Sequence, residues 1–357
     1  MKNGILGLLV IVVLLAAGGY FYWSKNNTQI KGEVAELKAD DVEEVAEEVV
    51  VVPEKNINIF KGNDRPIAFM IDNNKNAQPQ ASLNSTYLVY EIIVEGGETR
   101  LMALFKGADC DEVGPIRSAR HYFLDYVMEN DAIYAHLGLS PQAQTQMPQF
   151  GINNINGQSY DTGKARTKDS LYWRVKHKKA PHNAYTNTAS ILQIAESKGY
   201  KTTSDKESVL NYVSDEIMLD KEDAIVANNI LIPYTTTHKV EYKYDAQTGR
   251  YVRYSKNQKM FDETTNEEVT TKNIIITFAE NYTLNDGENK GRQDVVTVGS
   301  LDGYYITNGK AIKIKCNKTS RDAQTSYVDL AGNEIEVNDG NTWINIVPID
   351  AAITISE

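Results

Sequence analysis

Apolar and polar positions divide the chain into stretches of different period. Ile5–Trp23 is a nearly uncharged apolar run of membrane-spanning length, ending in the aromatics Tyr20, Phe21, Tyr22 and Trp23 that suit a membrane interface. It predicts a retained single span with the N-terminus inside, release by cleavage after Leu15-Ala16-Ala17-Gly18 being the alternative. From Asn26 to residue 57 acidic residues alternate with Val and Ala and no aromatic occurs, the pattern of a self-repelling, extended spacer. Three apolar runs follow, Pro66–Ile71, Tyr87–Val94 and Arg100–Phe105, and read as strands. Gly96-Gly97 would join the last two in a hairpin. Ser118 then reads as an N-cap, because Ala119, Tyr122, Phe123, Tyr126 and Val127 recur at helical spacing. Ala132–Leu137 is a short, almost wholly apolar run, as in an interior strand, with His136 near its exit. Gly138 turns the chain, and Ser140-Pro141 has the form of an N-cap and first helical residue. Asn187 opens a further helix that Gly199 closes.

Residues 202–237 read as a connector with a little helix. From His238 the period becomes alternating and β-branched with regular turn signals, Asn308-Gly309 being the clearest hairpin and Thr342–Val347 the final strand. The fold class expected is an α/β or α+β N-terminal domain plus a mostly β C-terminal domain, behind a single N-terminal membrane-spanning segment. In residues this is 1–25 anchor or signal, 26–57 acidic spacer, 58–205 α/β domain, 206–237 connector and 238–357 β domain, the last able to fold by itself.

With 357 residues and 41% hydrophobic content the chain can build sizeable cores. A formal net charge of -11 argues against a nucleic-acid partner, whose binding rests on phosphate neutralisation by a basic surface. Cys110 and Cys316 lie far apart without CxxC or Cys/His spacing and read as free thiols. No HExxH-like spacing or cofactor motif occurs, so neither metal nor cofactor is expected.

The candidate chemistry sits where elements end. Arg117 and Arg120 would flank the start of a helix and oppose its dipole unless an anion lies between them; pairing with Asp111, Glu112 or Asp125 is the bland alternative. Asp72, Glu95 and His136 each follow an apolar strand directly, and would share one ligand-binding rim if the strands run parallel. Arg100 would lie at the same edge as Glu95. A basic patch, Arg174, Lys176, Lys178 and Lys179, leads into the loop Pro181-His182-Asn183. Arg292 and Asp294 form the most site-like pair of the β region, read as a surface ion pair.

The segments RPIAFMIDNN (65–74), VEGGETR (94–100), GPIRSAR (114–120), DAIYAHLGLSPQA (131–143), APHNAY (180–185) and GNTWINIVP (340–348) together resemble the YerB-like family of bacterial lipoproteins. The resemblance spans residues 58–348 and implies an extracytoplasmic envelope protein with an N-terminal and a C-terminal domain of unknown function; it carries over no activity. Its motif positions here include Asp72, Asn73, Glu95, Gly96, Gly97, Arg100, Arg117, Ser118, Arg120, His136, Ser140, Gln142, Pro181, His182 and Asn183. The chain departs from it at Gly19, where a lipid-bearing cysteine is needed, at Leu139 in place of a glycine and at Cys316 in place of a tryptophan.

Three functions fit this pattern. The first is a membrane-anchored module binding an anionic ligand, peptidoglycan or a wall polymer, through Arg100, Arg117, Arg120, Ser140, Gln142, Arg174, His182 and Asn183. The second is a wall hydrolase with Glu95 or Asp72 as acid and His136 or His182 as base. The third is a scaffold for other envelope proteins. The cytoplasmic membrane, met through residues 5–23, is the partner common to all three.

Overall fold

The three apolar runs become strands β1 (Ile67–Asp72), β2 (Leu88–Ile93) and β3 (Thr99–Phe105), each buried along its whole length. The computed structural model describes residues 57–59 and 62–357; the apolar run Ile5–Trp23 and nearly all of the acidic spacer lie outside them. β2 and β3 form the expected hairpin, with Gly96 and Gly97 at φ of 72° and 71°, a region that side chains bearing a Cβ avoid. β1 pairs with the other edge of β3 and antiparallel to it, so β1 and β2 run the same way. β4 (Ile133–His136) pairs parallel with β1, and β5 (Asn154–Asn156) parallel with β4.

Three α-helices occur among the described residues: α1 (Phe123–Glu129), α2 (Pro141–Gln149) and α3 (Thr188–Ser197). Ser140 caps α2 by accepting from the Ala143 N–H, and Asn187 caps α3 by accepting from the Ser190 N–H, as their positions predict. α1 differs. Ser118 is not its cap, because residues 116–120 spend their backbone groups elsewhere: Arg117 N–H donates to Met70 O, Ala119 N–H to Gly138 O, and Arg117 and Ala119 carbonyls accept from Leu137 and Ser140. Bridged on both sides in this way, the segment is extended, and the helix begins only at Phe123. The apolar residues that suggest the earlier start are buried all the same.

The connector expected to hold a little helix holds strands instead, chiefly β6 (Asn229–Pro233). After it come β7 (Lys239–Asp245), β8 (Arg250–Ser255), β9 (Asn273–Ala279), the hairpin β10 (Asn281–Thr283) and β11 (Gln293–Val295), then β12 (Gly299–Thr307), β13 (Lys310–Lys318), β14 (Ser326–Asp329), β15 (Thr342–Pro348) and β16 (Thr354–Ser356). The result is mostly β with few helices, and the three α-helices of the described residues all lie in the N-terminal half, beside strands β1 to β5. Asn308 and Gly309, at φ of 49° and 72°, make the tight turn between β12 and β13.

One eleven-stranded sheet runs β14-β13-β12-β9-β15-β2-β3-β1-β4-β5, with Ile225–Val226 beside β13 off that path. A second sheet is built on β8-β7-β6-β16. The change of pattern near residue 237 is therefore crossed by the main sheet, since β15 lies between β2 and β9 and parallel to both. Residues Lys55–Glu357 form one compact unit. The pairings give β1, β2, β4, β9 and β15 a common direction, so their C-terminal ends share one edge of the sheet. Among the described residues no helix is long and apolar enough to cross a membrane.

Candidate functional site

At that edge the strand ends are fixed by a buried polar network. Glu91 on β2 is fully buried and receives Arg253 Nη2 of β8 at 2.6 Å, Thr99 Oγ1 at 2.6 Å and Asn73 Nδ2 at 3.0 Å. Burial pushes the Glu91 carboxyl up, but Arg253, His238 and Thr99 outweigh it and hold it at about 2. Arg253 is stacked over Trp343 of β15 at 4.1 Å, which joins the second sheet to the first. Since Thr99 gives its only proton to Glu91, His238 Nε2, 2.9 Å away, must donate to Thr99. His238 Nδ1 faces Glu98 Oε2 at 3.2 Å and must donate there too, so the ring is an imidazolium. Burial alone would lower its pKa; the bonds to Glu91 and Glu98 raise it. Glu98 is pushed up by burial but held at about 2 by His238 and Lys256.

Above this base opens a cleft of about 360 Å³. Asp72 ends β1 and stands opposite its register partner Arg100, the second residue of β3. Asp72 Oδ2 accepts from His182 Nδ1 at 2.7 Å, and Arg117 Nε lies 3.2 Å from the same oxygen. Arg117 is off the hydrogen-bonding line: its Nε–H, though buried, has no hydrogen-bond partner among the described residues, so the contact is an ion pair only. Arg120 is instead forked onto Glu95, Nε to Oε1 at 2.6 Å and Nη2 to Oε2 at 2.8 Å. Arg100 donates through Nη1 to the Ser118 carbonyl; burial and the neighbouring Arg120 and Arg117 bring its pKa down to about 10. Burial pushes the Glu95 carboxyl up, but Arg120 and Arg100 prevail and hold it below the usual carboxylate range.

Lys290 and Arg292 complete the wall. They are carried by the β10–β11 hairpin, which continues from β9 at the same edge, and Arg292 is steadied by Asp286 and Glu288. Five cationic side chains thus face three carboxylates, with His182 beside them.

Of the residues expected to form a site, Asp72, Glu95, Arg100, Arg117, Arg120, Ser140 and His182 come together in the cleft. Ser140 spends its hydroxyl on the α2 cap. His136 is not among them. It ends β4 at the common edge but is fully buried, with Nδ1 2.8 Å from the Gly138 carbonyl, and burial lowers its pKa to about 4. Gln142 faces a neighbouring hollow and donates to Asp286 at 3.2 Å. Arg174 is tied to Asp161 and to Asn183 at 3.1 Å, and Asn183 donates to the Val175 carbonyl, so both serve their own loop. Sequence reasoning does not single out Lys290, Glu98 or Thr99, and it pairs Arg292 with Asp294 at the surface; Asp294 instead receives His121 at 2.8 Å and Tyr282 at 3.0 Å. Adjacency of the GlyGlyGluThr turn to Arg100 is the available signal for Glu98 and Thr99. Nothing along the chain tells where the β10–β11 hairpin lands. Both cysteines are free and buried, and among the described residues no group of three His, Cys, Asp or Glu side chains could hold a metal ion.

Residues 55–201 match the family described as "Protein of unknown function (DUF3048) N-terminal domain", and residues 230–344 match its C-terminal domain. The chain is 32% identical over 300 residues to "Putative lipoprotein YerB" of Bacillus subtilis (strain 168), covering 81% of this chain and 83% of that protein. The crystal structure of YerB from Bacillus subtilis superposes with a TM-score of 0.70 at 31% identity, over 82% of this chain and 94% of that one.

Proposed function

Because the chain belongs to the YerB family and carries both DUF3048 domains, we propose that it is a membrane-tethered, extracytoplasmic envelope protein whose cleft binds an anionic group of peptidoglycan or a wall polymer. The lipoprotein name of the relative supports the envelope setting. In this chain the tether would be the apolar run Ile5–Trp23, since Gly19 stands where a lipid-bearing cysteine would be. The observation that carries the binding reading is Arg117. Its guanidinium lines the cleft without a hydrogen bond to any described side chain, in a chain of net charge -11 that nonetheless gathers five cations there. Guanidinium forks bind carboxylates and phosphates through paired N–H donors, and preformed ones do so at small conformational cost.

Glycoside cleavage fits less well. It needs a carboxyl that stays protonated near neutrality, whereas Glu95 and Glu98 are both held below their usual range and Asp72 is engaged by His182 and Arg117. Sedimentation of the purified chain with isolated wall sacculi, with and without their anionic polymers, tests the proposal. Association that weakens with salt and falls about tenfold or more in Arg117→Ala is expected; a wild-type chain that stays in the supernatant with both preparations would leave the scaffold reading.

A further inference from the structure

The cleft holds one group that anion binding does not require. His182 presents Nδ1 to Asp72, itself almost fully buried, and a carboxylate there selects the tautomer of the neutral ring, with the proton on Nδ1 and the lone pair on Nε2. Nε2 has no hydrogen-bond partner among the described residues, and His182 lines the cleft. Arg117 shares the very oxygen that holds the ring, so base and guanidinium stand side by side over Asp72 Oδ2. Arg100, with one hydrogen bond to the Ser118 carbonyl, lies in the same wall.

An oriented imidazole base beside arginines that are not saturated by protein carboxylates is suited to an ester whose anionic charge grows in the transition state. Resting on the anion-binding reading above, we infer that the cleft hydrolyses phosphodiesters, with His182 as general base, Arg117 and Arg100 holding the non-bridging oxygens, and Asp72 as the positioning residue. In this step a water oxygen bonds to phosphorus while His182 Nε2 takes one of its protons, and the bond from phosphorus to one alcohol oxygen breaks. The departing alkoxide takes a proton from solvent, and the imidazolium gives its own back to solvent. One water is consumed, a phosphomonoester and an alcohol are released, and no electrons change hands. Arg120, committed to Glu95, shapes the wall and keeps that carboxylate from repelling the substrate. Phosphodiesters rather than amides are favoured because the cleft concentrates cations around the base, and among the described residues no hydroxyl of the lining is hydrogen-bonded to His182 as an activated nucleophile would be.

The test uses the full chain with bis(p-nitrophenyl) phosphate as substrate and inorganic phosphate as the binding probe, followed by calorimetry. Wild type should release nitrophenolate, and His182→Gln should lose about a hundredfold or more in kcat while its phosphate affinity stays within about threefold. Asp72→Asn should lower kcat and reshape the pH profile of kcat/KM, which a purely structural aspartate would not do. Arg117→Lys should raise KM and weaken phosphate binding together. A wild-type rate no greater than buffer alone, or equal to that of His182→Gln, overturns the activity, and the first of these decides the matter even if the variant does not fold. If phosphate still binds in that case, the anion cleft stands; if wild type binds no phosphate, the phosphodiesterase inference falls, and sedimentation with sacculi decides the anion-binding reading.

Discussion

Arg117 and Arg120 are close in sequence and in space, but only Arg120 has its fork filled, and truncation should separate them. Arg120→Ala leaves Glu95 partly buried without its partner and should cost about 1–3 kcal/mol of stability. Arg117→Ala removes an ion pair without a hydrogen bond and should shift stability by less than about 0.5 kcal/mol while weakening anion binding. Urea titrations of both variants check the contrast, and equal losses would mean that Arg117 is structural. Two buried histidines bracket neutrality with opposite signs. His136 is held near 4, below its unfolded value, so its contribution is complete above about 6.5 and is lost as pH falls toward 4, by roughly 3 kcal/mol. His238 is raised, so its contribution is complete below the unfolded value and is lost as pH climbs through the folded one. The urea midpoint should therefore peak near pH 6.5, with His136→Gln flattening the acid limb and His238→Gln the alkaline one. A profile unchanged in either variant would refute that histidine's assignment. Of the two, only His136 stands out in the sequence, and there it points to the wrong role. A strand exit marks it equally as ligand or as core, and its burial between β1 and β5 is a property of strand order.

Elements were legible where a local signal decides them. Strands β1 to β4 announce themselves as apolar runs, and the caps Ser140 and Asn187 as side-chain oxygens ahead of helical periodicity. The start of α1 was not legible, because Ser118 is a good cap in isolation and only tertiary bridges to β1 and to the 137–140 turn take its neighbours' backbone away. The β12–β13 turn offers a test at this scale. A Cβ on Gly309 would stand 3.0 Å from Tyr244 and 3.1 Å from Asn228, at a φ that disfavours it. Gly309→Ala should cost about 1–3 kcal/mol, measured by thermal melting; a neutral result would mean that the turn relaxes. The β10–β11 hairpin offers another. Its tip brings Lys290 and Arg292 to the cleft from the far end of the chain, so replacing residues 284–292 by a short glycine turn should preserve melting and weaken phosphate binding by about tenfold. Unaltered binding would confine the site to the N-terminal residues.

At the scale of the whole molecule, the two family domains read along the chain are joined in one sheet, because β15 is seated between β2 and β9. A fragment of residues 238–357 would expose an edge of that buried strand and leave Arg253 without Glu91. It should be unfolded or aggregated by circular dichroism and sedimentation, and a cooperative, monomeric fragment would show that β15 tolerates an open edge. Periodicity revealed the β character of this region and nothing of its partner, since parallel pairing between β2 and β15 leaves no local trace in either segment. The late position of β15 also governs the order of events during biosynthesis. A chain that emerges N-terminus first, from a ribosome or through a translocation pore, presents β2 with one edge bare until residues 342–348 have followed. Nascent chains stalled before Thr342 should remain open to protease and bind chaperones, and chains extended past Glu357 by a linker should become resistant in a single step. A sheet whose central gap is filled only by residues 342–348 should thus close late, after most of its strands have been made.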